Sequence, residues 1–475
     1  MTNIAKRPEW RVYQESLKRD STKKRFIKKI SKWMVVILLL PATVYGIIVG
    51  LGGIQKTHGL NGDDPASTKS VEAPQIHESL ISKRDVRSML DSKAFLNLKE
   101  KGFDAVVDGR HIWVDTSLDI PLQNFILAKL DRSTSRYIAI VAIDPETGRI
   151  LSMSGFDKTN PSGNPCIDNV FPAASVFKIV TAAAAIEKCG LNPDSELTYN
   201  GRKHTLYKSQ LKNRTNRYTN RITFRDSFAK SVNPVFGKIG ALYLGKDVLE
   251  QFASAFGFNR QIGFELPFPN SFISVSDEPY QWAEIACGFN RKTTITPLHG
   301  ALMASAILNQ GKLIEPTIVD RIFDEKGRTI YRARSITLNQ AMTPAASKTV
   351  NDLMEATVRD GTCKKAFRGF RKDSILSRLF IGGKTGSINN KLHDARYEWF
   401  VGFAREKEGP GKIVLSVFVA HEEYIGIRPS DYARMIIKQY FRNYFVKKKD
   451  RRQDRVQGSG IRGQKTPVKQ KKIRV

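Results

Sequence analysis

Between Trp33 and Ile54 the chain runs for 22 residues without a charge (WMVVILLLPATVYGIIVGLGGI). At ~1.5 Å per residue, a helix of that length spans the ~30 Å hydrocarbon core of a bilayer. Pro41 lies inside the run, which a membrane helix tolerates because neighbouring groups re-satisfy the freed backbone. Dense Lys and Arg before Trp33 and mixed charges after Ile54 set the orientation. They predict a single pass through the cell inner (cytoplasmic) membrane, with a cytoplasmic N-terminus and a periplasmic or extracellular body. A cleaved signal peptide, helped by the small residues Gly50, Gly52 and Gly53, is the alternative, but its apolar core is usually only ~7–15 residues long. An anchor is the expectation.

The formal charge of +31 sits mostly at the two ends. Residues 1–32 hold 11 Lys and Arg against Glu9, Glu15 and Asp20, and residues 447–475 hold 12 against Asp450 and Asp454. An anchor at 33–54 puts these tails on opposite sides of the membrane, where they cannot share one duplex. That excludes nucleic acid as a partner. It leaves anionic lipid headgroups for the first tail and anionic wall polymers or lipids for the second. The four cysteines show no CxxC spacing and the seven histidines no HExxH, so neither a metal nor another cofactor is expected. Cys166 and Cys189 bracket a predicted helix. In an exported body they either pair or remain buried thiols, and their spacing does not decide between the two.

Composition along the chain divides it further. Residues 1–32 read as a basic cytoplasmic tail, 33–54 as the transmembrane helix and 55–87 as a polar linker. Residues 88–135 read as a small membrane-proximal region with a hairpin (FDAVVDGRHIWVD) and a helix (PLQNFILAKL). Residues 136–446 form the main domain, and 447–475 a basic, disordered tail. Within the main domain, YIAIVAID, PETGR and ILSMSG predict two strands and a tight turn. AASVFKIVTAAAAIEK before Gly190 predicts a buried helix. LFIGGKTGS, EWFVGFA and KIVLSVFVAHE predict three late strands, and SDYARMIIKQYFRNYF a last helix. Strands at both ends of a domain with helices between them imply an α/β (α+β layered) fold, with a mainly antiparallel central sheet flanked by helices.

Ser175 and Lys178 stand i, i+3 on the buried helix, so their side chains share one face. A serine needs a base to become a nucleophile, and burial lowers a lysine pKa toward that role. S-x-x-K alone is weak, since it occurs at Ser21, Ser175, Ser209 and Ser227. Order decides among them. Ser231-Val232-Asn233 follows Ser175, and Lys384-Thr385-Gly386-Ser387 follows that, on a strand preceded by Gly382-Gly383.

This ordered trio of S-x-x-K, S-x-N and K-T-G resembles the penicillin-binding transpeptidases and serine β-lactamases. TSLDIPLQ, IAIVAIDPETGRILSMSG, SVNPVFGKIG, TPLHGALMASAILNQGKL, GTCKKAF and EWFVGFARE are similar to successive landmarks of such transpeptidase domains, from about Thr116 to Ala404. Two departures are Gly288-Phe289-Asn290, where relatives commonly carry a Gly-Gln-Gly turn, and Ser387, where Thr is commoner. The resemblance implies Ser175 as nucleophile, Lys178 as its base, and Ser231 as proton relay to the leaving group, held by Asn233 and Lys178. It implies Lys384 as positive charge near the substrate carboxylate, and a substrate-binding strand of Thr385, Gly386 and Ser387. The backbone N–H groups of Ser175 and Ser387 would form the oxyanion hole.

The expected partners are peptidoglycan stem peptides and β-lactams, with cell-wall synthesis proteins as possible neighbours. A D,D-carboxypeptidase or a β-lactamase would use the same residues, and a non-catalytic scaffold in a wall-building complex is the reading from another class. Residues 55–136 are too few to hold a glycosyltransferase domain or a large pedestal.

Overall fold

The computed structural model describes residues 80–168 and 170–460, of which 451–460 by backbone alone. The basic tail at 1–32, the expected membrane helix at 33–54 and most of the expected linker lie outside these residues. Among the described residues no helix is long and apolar enough to cross a membrane.

The strands that matter here are, in chain order, β1 (Gly102–Val107), β2 (Arg110–Thr116), β3 (Ser135–Ile143), β4 (Ile150–Asp157), β5 (Val319–Asp324), β6 (Thr329–Arg332), β7 (Leu379–Asn389), β8 (Arg396–Glu406) and β9 (Lys412–His421). Five of them make the central sheet in the order β7-β8-β9-β3-β4, every neighbouring pair antiparallel. The late strands therefore insert ahead of the early hairpin, and the sheet closes only when both ends of the domain meet. Period-two alternation then feeds two cores. Ala139, Val141 and Ile143 point into one, while Ile138, Ile140 and Ala142 point into the other. With both faces covered, β3 from Tyr137 onward reads as an unbroken apolar run, and β9 as one interrupted by Ser416.

The main helices are α1 (Ile120–Leu127), α2 (Lys178–Cys189), α3 (Phe224–Ala229), α4 (Asn233–Lys238), α5 (Pro279–Cys287), α6 (Pro297–Leu308), α7 (Pro344–Arg359) and α8 (Pro429–Gly460). One face of the sheet is covered by α1 and by Tyr432, Ala433, Ile436, Ile437 and Phe441 of α8, which recur at helical spacing. The other face carries the larger core, in which α2 is buried along Lys178–Ala185. Its stop is the one expected: Gly190 at φ 65°, the left-handed conformation that glycine adopts without a Cβ penalty.

Three boundaries differ from expectation. The segment assigned to the linker already contains a helix, Lys83–Met89, because Ser82 and Asp85 form a reciprocal capping box. The hairpin β1–β2 is not a separate region: β2 pairs with β5, giving a four-stranded sheet β1-β2-β5-β6. The last helix does not stop at Val446 but continues to Gly460, since nothing between Lys447 and Arg455 breaks a helix. Cys166 and Cys189 are free thiols. The sulfur of Cys166 faces the carbonyls of Ser154 (3.4 Å) and Ile140 (3.8 Å).

An aromatic cluster ties the sheet to the chain that enters α2. Phe171 stacks on Phe418 with centroids 3.9 Å apart. Trp399 lies 4.6 Å from Phe418 and donates its indole N–H to the Pro172 carbonyl at 2.9 Å. Pro172 is three residues from Ser175, so this packing fixes the approach to the helix start. Phe418→Ala is expected to cost about 3–5 kcal/mol of folding stability, read by urea unfolding; a loss under 1 kcal/mol would contradict this account.

Candidate active site

Ser175 lies in a 3₁₀ turn, Ala174–Phe177, that runs directly into α2. Its neighbour Ala174 is held at φ 48°, a costly conformation for a residue with a Cβ. The i, i+3 spacing brings Lys178 alongside: its Nζ donates to Ser175 Oγ (2.8 Å), Asn233 Oδ1 (2.8 Å) and the Cys287 carbonyl (2.6 Å). Lys178 is fully buried, with the Phe236 ring 5.6 Å from its amine. Burial lowers its pKa to about 8, against a small opposing pull from Cys287. Two of its three partners are carbonyl-type oxygens that can only accept. A neutral Lys178 can satisfy both with its two protons and turn its lone pair on the Ser175 hydroxyl. That is the geometry of a general base.

Ser231 sits between α3 and α4, also at positive φ, 54°. The turn is fixed by Ser231 N–H to the Phe228 carbonyl (3.1 Å) and Asn233 N–H to the Lys203 carbonyl (2.6 Å). Lys384, on β7, donates to Ser231 Oγ and to the Thr385 carbonyl, each at 3.0 Å. It too is fully buried. Burial, and then the charge of Lys178, holds its pKa well below the usual lysine value. The six polar groups thus divide into two linked sets, Ser175–Lys178–Asn233 and Ser231–Lys384–Thr385. Ser231 is held by Lys384, where sequence reasoning had Asn233 and Lys178 holding it.

Two glycines allow the close approach. Gly288, the left-handed end of α5 at φ 70°, passes so near that a Cβ there would lie 1.8 Å from the Ala174 carbonyl and 2.8 Å from Ser175 N. A Cβ on Gly386 would meet Ser175 N at 3.3 Å. A side chain at either position would crowd the amide of Ser175. The resulting cleft has a volume of about 690 Å³ and is lined by Ser175, Ser231, Asn233, Thr385, Gly386 and Ser387, among others. It falls within the size of a small-molecule or peptide pocket. A buried base on a serine, a second hydroxyl–amine pair and an open backbone amide can together perform acyl transfer.

Residues 138–440 match the family described as penicillin binding protein transpeptidase domain. The chain belongs to this family. Among relatives of the transpeptidase family, stage V sporulation protein D of Bacillus subtilis is 26% identical over 314 residues, covering 61% of this chain and 47% of its own length. Peptidoglycan D,D-transpeptidase PbpA of Mycolicibacterium smegmatis is 26% identical over 326 residues, covering 59% and 61%. The chain thus spans less than two thirds of these relatives. In fold it is similar to the D,D-transpeptidase domain of a peptidoglycan glycosyltransferase from Eggerthella lenta (TM-score 0.59, 21% identity, 79% of this chain and 90% of that one). The penicillin G acyl-enzyme of penicillin-binding protein A from M. tuberculosis is similar as well (TM-score 0.54, 21% identity, 69% and 79%).

The transpeptidase motifs named from sequence all line or support one cleft. Sequence reasoning missed several contributors. The Cys287 carbonyl carries no side-chain signal. Gly288 was noticed only as a departure, although it makes the backbone turn against Ser175. Thr362 bonds the Thr385 hydroxyl at 2.6 Å and belongs to the segment GTCKKAF, outside the motif trio. Arg291, Arg396 and Arg428, which line the cleft beyond Ser387, lie outside every motif. If Lys178 is the base, the rate of acylation by penicillin should rise about tenfold per pH unit below pH 8 and level off above it, as the ammonium gives up its proton. A stopped-flow profile that is flat from pH 6 to pH 9 would rule Lys178 out.

Proposed function

We propose that this chain is a peptidoglycan D,D-transpeptidase, anchored in the cytoplasmic membrane by 33–54, with its catalytic body on the outer side. The observation that carries the reading is Lys178, buried between Ser175 Oγ, Asn233 Oδ1 and the Cys287 carbonyl. Family membership and relatives named as transpeptidases support it.

Ser175 Oγ attacks the carbonyl of the penultimate residue in a stem peptide ending in D-alanyl-D-alanine, and its proton passes to Lys178. The oxyanion forms beside the N–H of Ser175 and of Ser387; one such donor is typically worth ~10²–10³ in rate. The C–N bond to the last D-alanine breaks as Ser231 gives its proton to the departing amine and takes up in turn the proton that Lys178 received. The terminal carboxylate is held by the hydroxyls of Thr385 and Ser387 and by Lys384. An arriving anion raises the proton affinity of Lys384, which is low in the free cleft. The amine of a second stem peptide then attacks the ester, forming the cross-link and freeing Ser175. A β-lactam enters by the same first step and leaves its acyl group on the serine.

Hydrolysis as the main outcome needs a base for water. The cleft is lined by one carboxylate, Glu398, and two arginines hold it. That disfavours a β-lactamase.

A fluorescent penicillin should label the intact protein and leave Ser175→Ala unlabelled; equal labelling would refute the nucleophile. Cross-linked product with an added amine separates the transferase from a D,D-carboxypeptidase, which would give only the trimmed peptide. The anchor is checked by fractionating cells that express the chain with and without 33–54. Retention of the deleted form in membranes at high salt would contradict it.

A further inference from the structure

One titratable side chain on the cleft wall has no part in the steps proposed above. His204 lines the cleft together with Ser175, Ser231 and Asn233. It is exposed, on the long loop between two paired strands, Glu196–Tyr199 and Asn220–Thr223. The loop is pinned on both sides of it. Ahead, the Lys203 carbonyl accepts the Asn233 N–H at 2.6 Å. Behind, the Leu206 carbonyl accepts the Tyr280 hydroxyl at 2.9 Å, and the Leu206 side chain is buried. Gln210, also buried, braces the segment further. Its Oε1 takes the Tyr207 N–H (3.0 Å) and the Thr205 hydroxyl (3.2 Å), and its Nε2 donates to the Asn200 carbonyl (2.8 Å). The imidazole is thus carried on fixed backbone.

The ring is turned toward Ser231. One nitrogen faces the Ser231 carbonyl, and the charges that act on it are cations: Lys178 on α2, Lys384 on β7 and Lys203 beside it. A carbonyl holds the proton on the nitrogen that faces it, so the other ring nitrogen is left as an acceptor. Desolvation at the cleft wall, and then Lys178, hold the imidazole pKa below its ordinary value, against an upward pull from the Ser231 carbonyl. At neutral pH the ring is uncharged.

Acyl transfer leaves one hydrogen bond of the attacking amine without a partner. In the proposed reaction this amine enters where the leaving amine departed, beside Ser231. Its lone pair points at the ester carbon, and two N–H bonds remain to be placed. As the C–N bond forms, positive charge develops on the nitrogen. One proton passes to Ser231 and through Lys178 to Ser175 Oγ while the ester C–O bond breaks, the reverse of acylation. The other stays on the new amide. We propose that His204 is a catalytic residue of this second half-reaction, its free ring nitrogen accepting the N–H that the acceptor amine keeps. The inference rests on the transpeptidase reading and assigns the wall of the cleft that receives its acceptor. His204 neither gains nor loses a proton, and a donor acquiring charge makes the stronger hydrogen bond.

The test gives the intact protein a synthetic peptide ending in D-alanyl-D-alanine together with a lysine-type amine, and measures amide product against trimmed acid. That ratio is set after the acyl-enzyme has formed, so it does not depend on how fast Ser175 was acylated. At pH 7 it should fall about thirtyfold in His204→Ala. It should return in part in His204→Gln, whose amide oxygen accepts but does not titrate. As the pH is lowered to 5, the gap between the intact protein and His204→Ala should close, because an imidazolium cannot accept. A purely structural role would leave that gap independent of pH. A ratio in His204→Ala within about twofold of the intact protein at pH 7, or a gap unchanged at pH 5, would overturn the assignment. Should His204→Ala fail to label with penicillin, and so to fold, the intact protein's advantage over His204→Gln decides: it must shrink between pH 7 and pH 5. Penicillin labelling and amide formation without any effect of His204 defeat this inference and leave the transpeptidase standing; absence of labelling in the intact protein defeats the transpeptidase itself.

Discussion

An amine buried among oxygens that mostly cannot give a proton is the constraint on which the rest of the cleft depends. Its acceptors are available because of how α5 ends. A helix leaves its last carbonyls without intrahelical donors, and α5 stops abruptly at Gly288. The amides of Gly288 and Phe289 turn back to the carbonyls of Ile285 and Glu284, which leaves those of Ala286 and Cys287. Both are taken by side chains of α2: Thr181 Oγ1 donates to Ala286 at 2.8 Å and Lys178 Nζ to Cys287 at 2.6 Å. The end of one helix is thereby capped by the start of another, and a base beside Ser175 follows from that packing. A side chain at Gly288 would strike the Ala174 carbonyl and the amide of Ser175 and force the two helix ends apart.

The second buried amine couples to the first. Lys384 and Lys178 disfavour each other's charge, and both are shielded from water. A free cleft therefore tends to carry fewer protons than two lysines would in solution. A carboxylate arriving at Thr385 and Ser387 changes that balance, because it stabilises an ammonium on Lys384 and leaves Lys178 as the amine more readily kept neutral. This gives the C-terminal carboxylate of the proposed substrate a purpose beyond affinity.

Much of this was legible in the sequence, for identifiable reasons. The strands β3, β8 and β9 announce themselves because buried strands need apolar residues on both faces, and the edge strands β4 and β7 by shorter apolar runs beside a turn and a glycine pair. α2 does so because alanine packs tightly and Gly190 ends it. Ser175, Lys178, Ser231, Asn233 and Lys384 were found because their chemistry belongs to side chains and their order is fixed. What stayed hidden belongs to the backbone or to pairing at a distance. The Cys287 carbonyl has no residue-type signature, and the positive φ of Ala174 and Ser231 falls on residues that rarely adopt it. The pairing of β2 with β5 joins segments some two hundred residues apart, each of which reads as an ordinary hairpin strand alone. Arg396, Glu398 and Arg428 look like solvated charge until the sheet register and the start of α8 bring them together.

The fate of the acyl group turns on what can reach the ester with a proton to lose. Water is a weak nucleophile and needs a base; a neutral amine is a strong one and needs little help. The lone carboxylate lining the cleft, Glu398, is a poor candidate for that base. Burial pushes its pKa up, but His421, Arg428 and Arg396 outweigh this and hold it below the usual value. An anion kept ionised by two arginines is stabilised in the form that does not take a proton. It also stands across from Ser387, not from the ester oxygen of Ser175. In the proposed reaction Glu398 is therefore no base for water, and a long-lived acyl-serine open to an amine is the state that cross-linking requires.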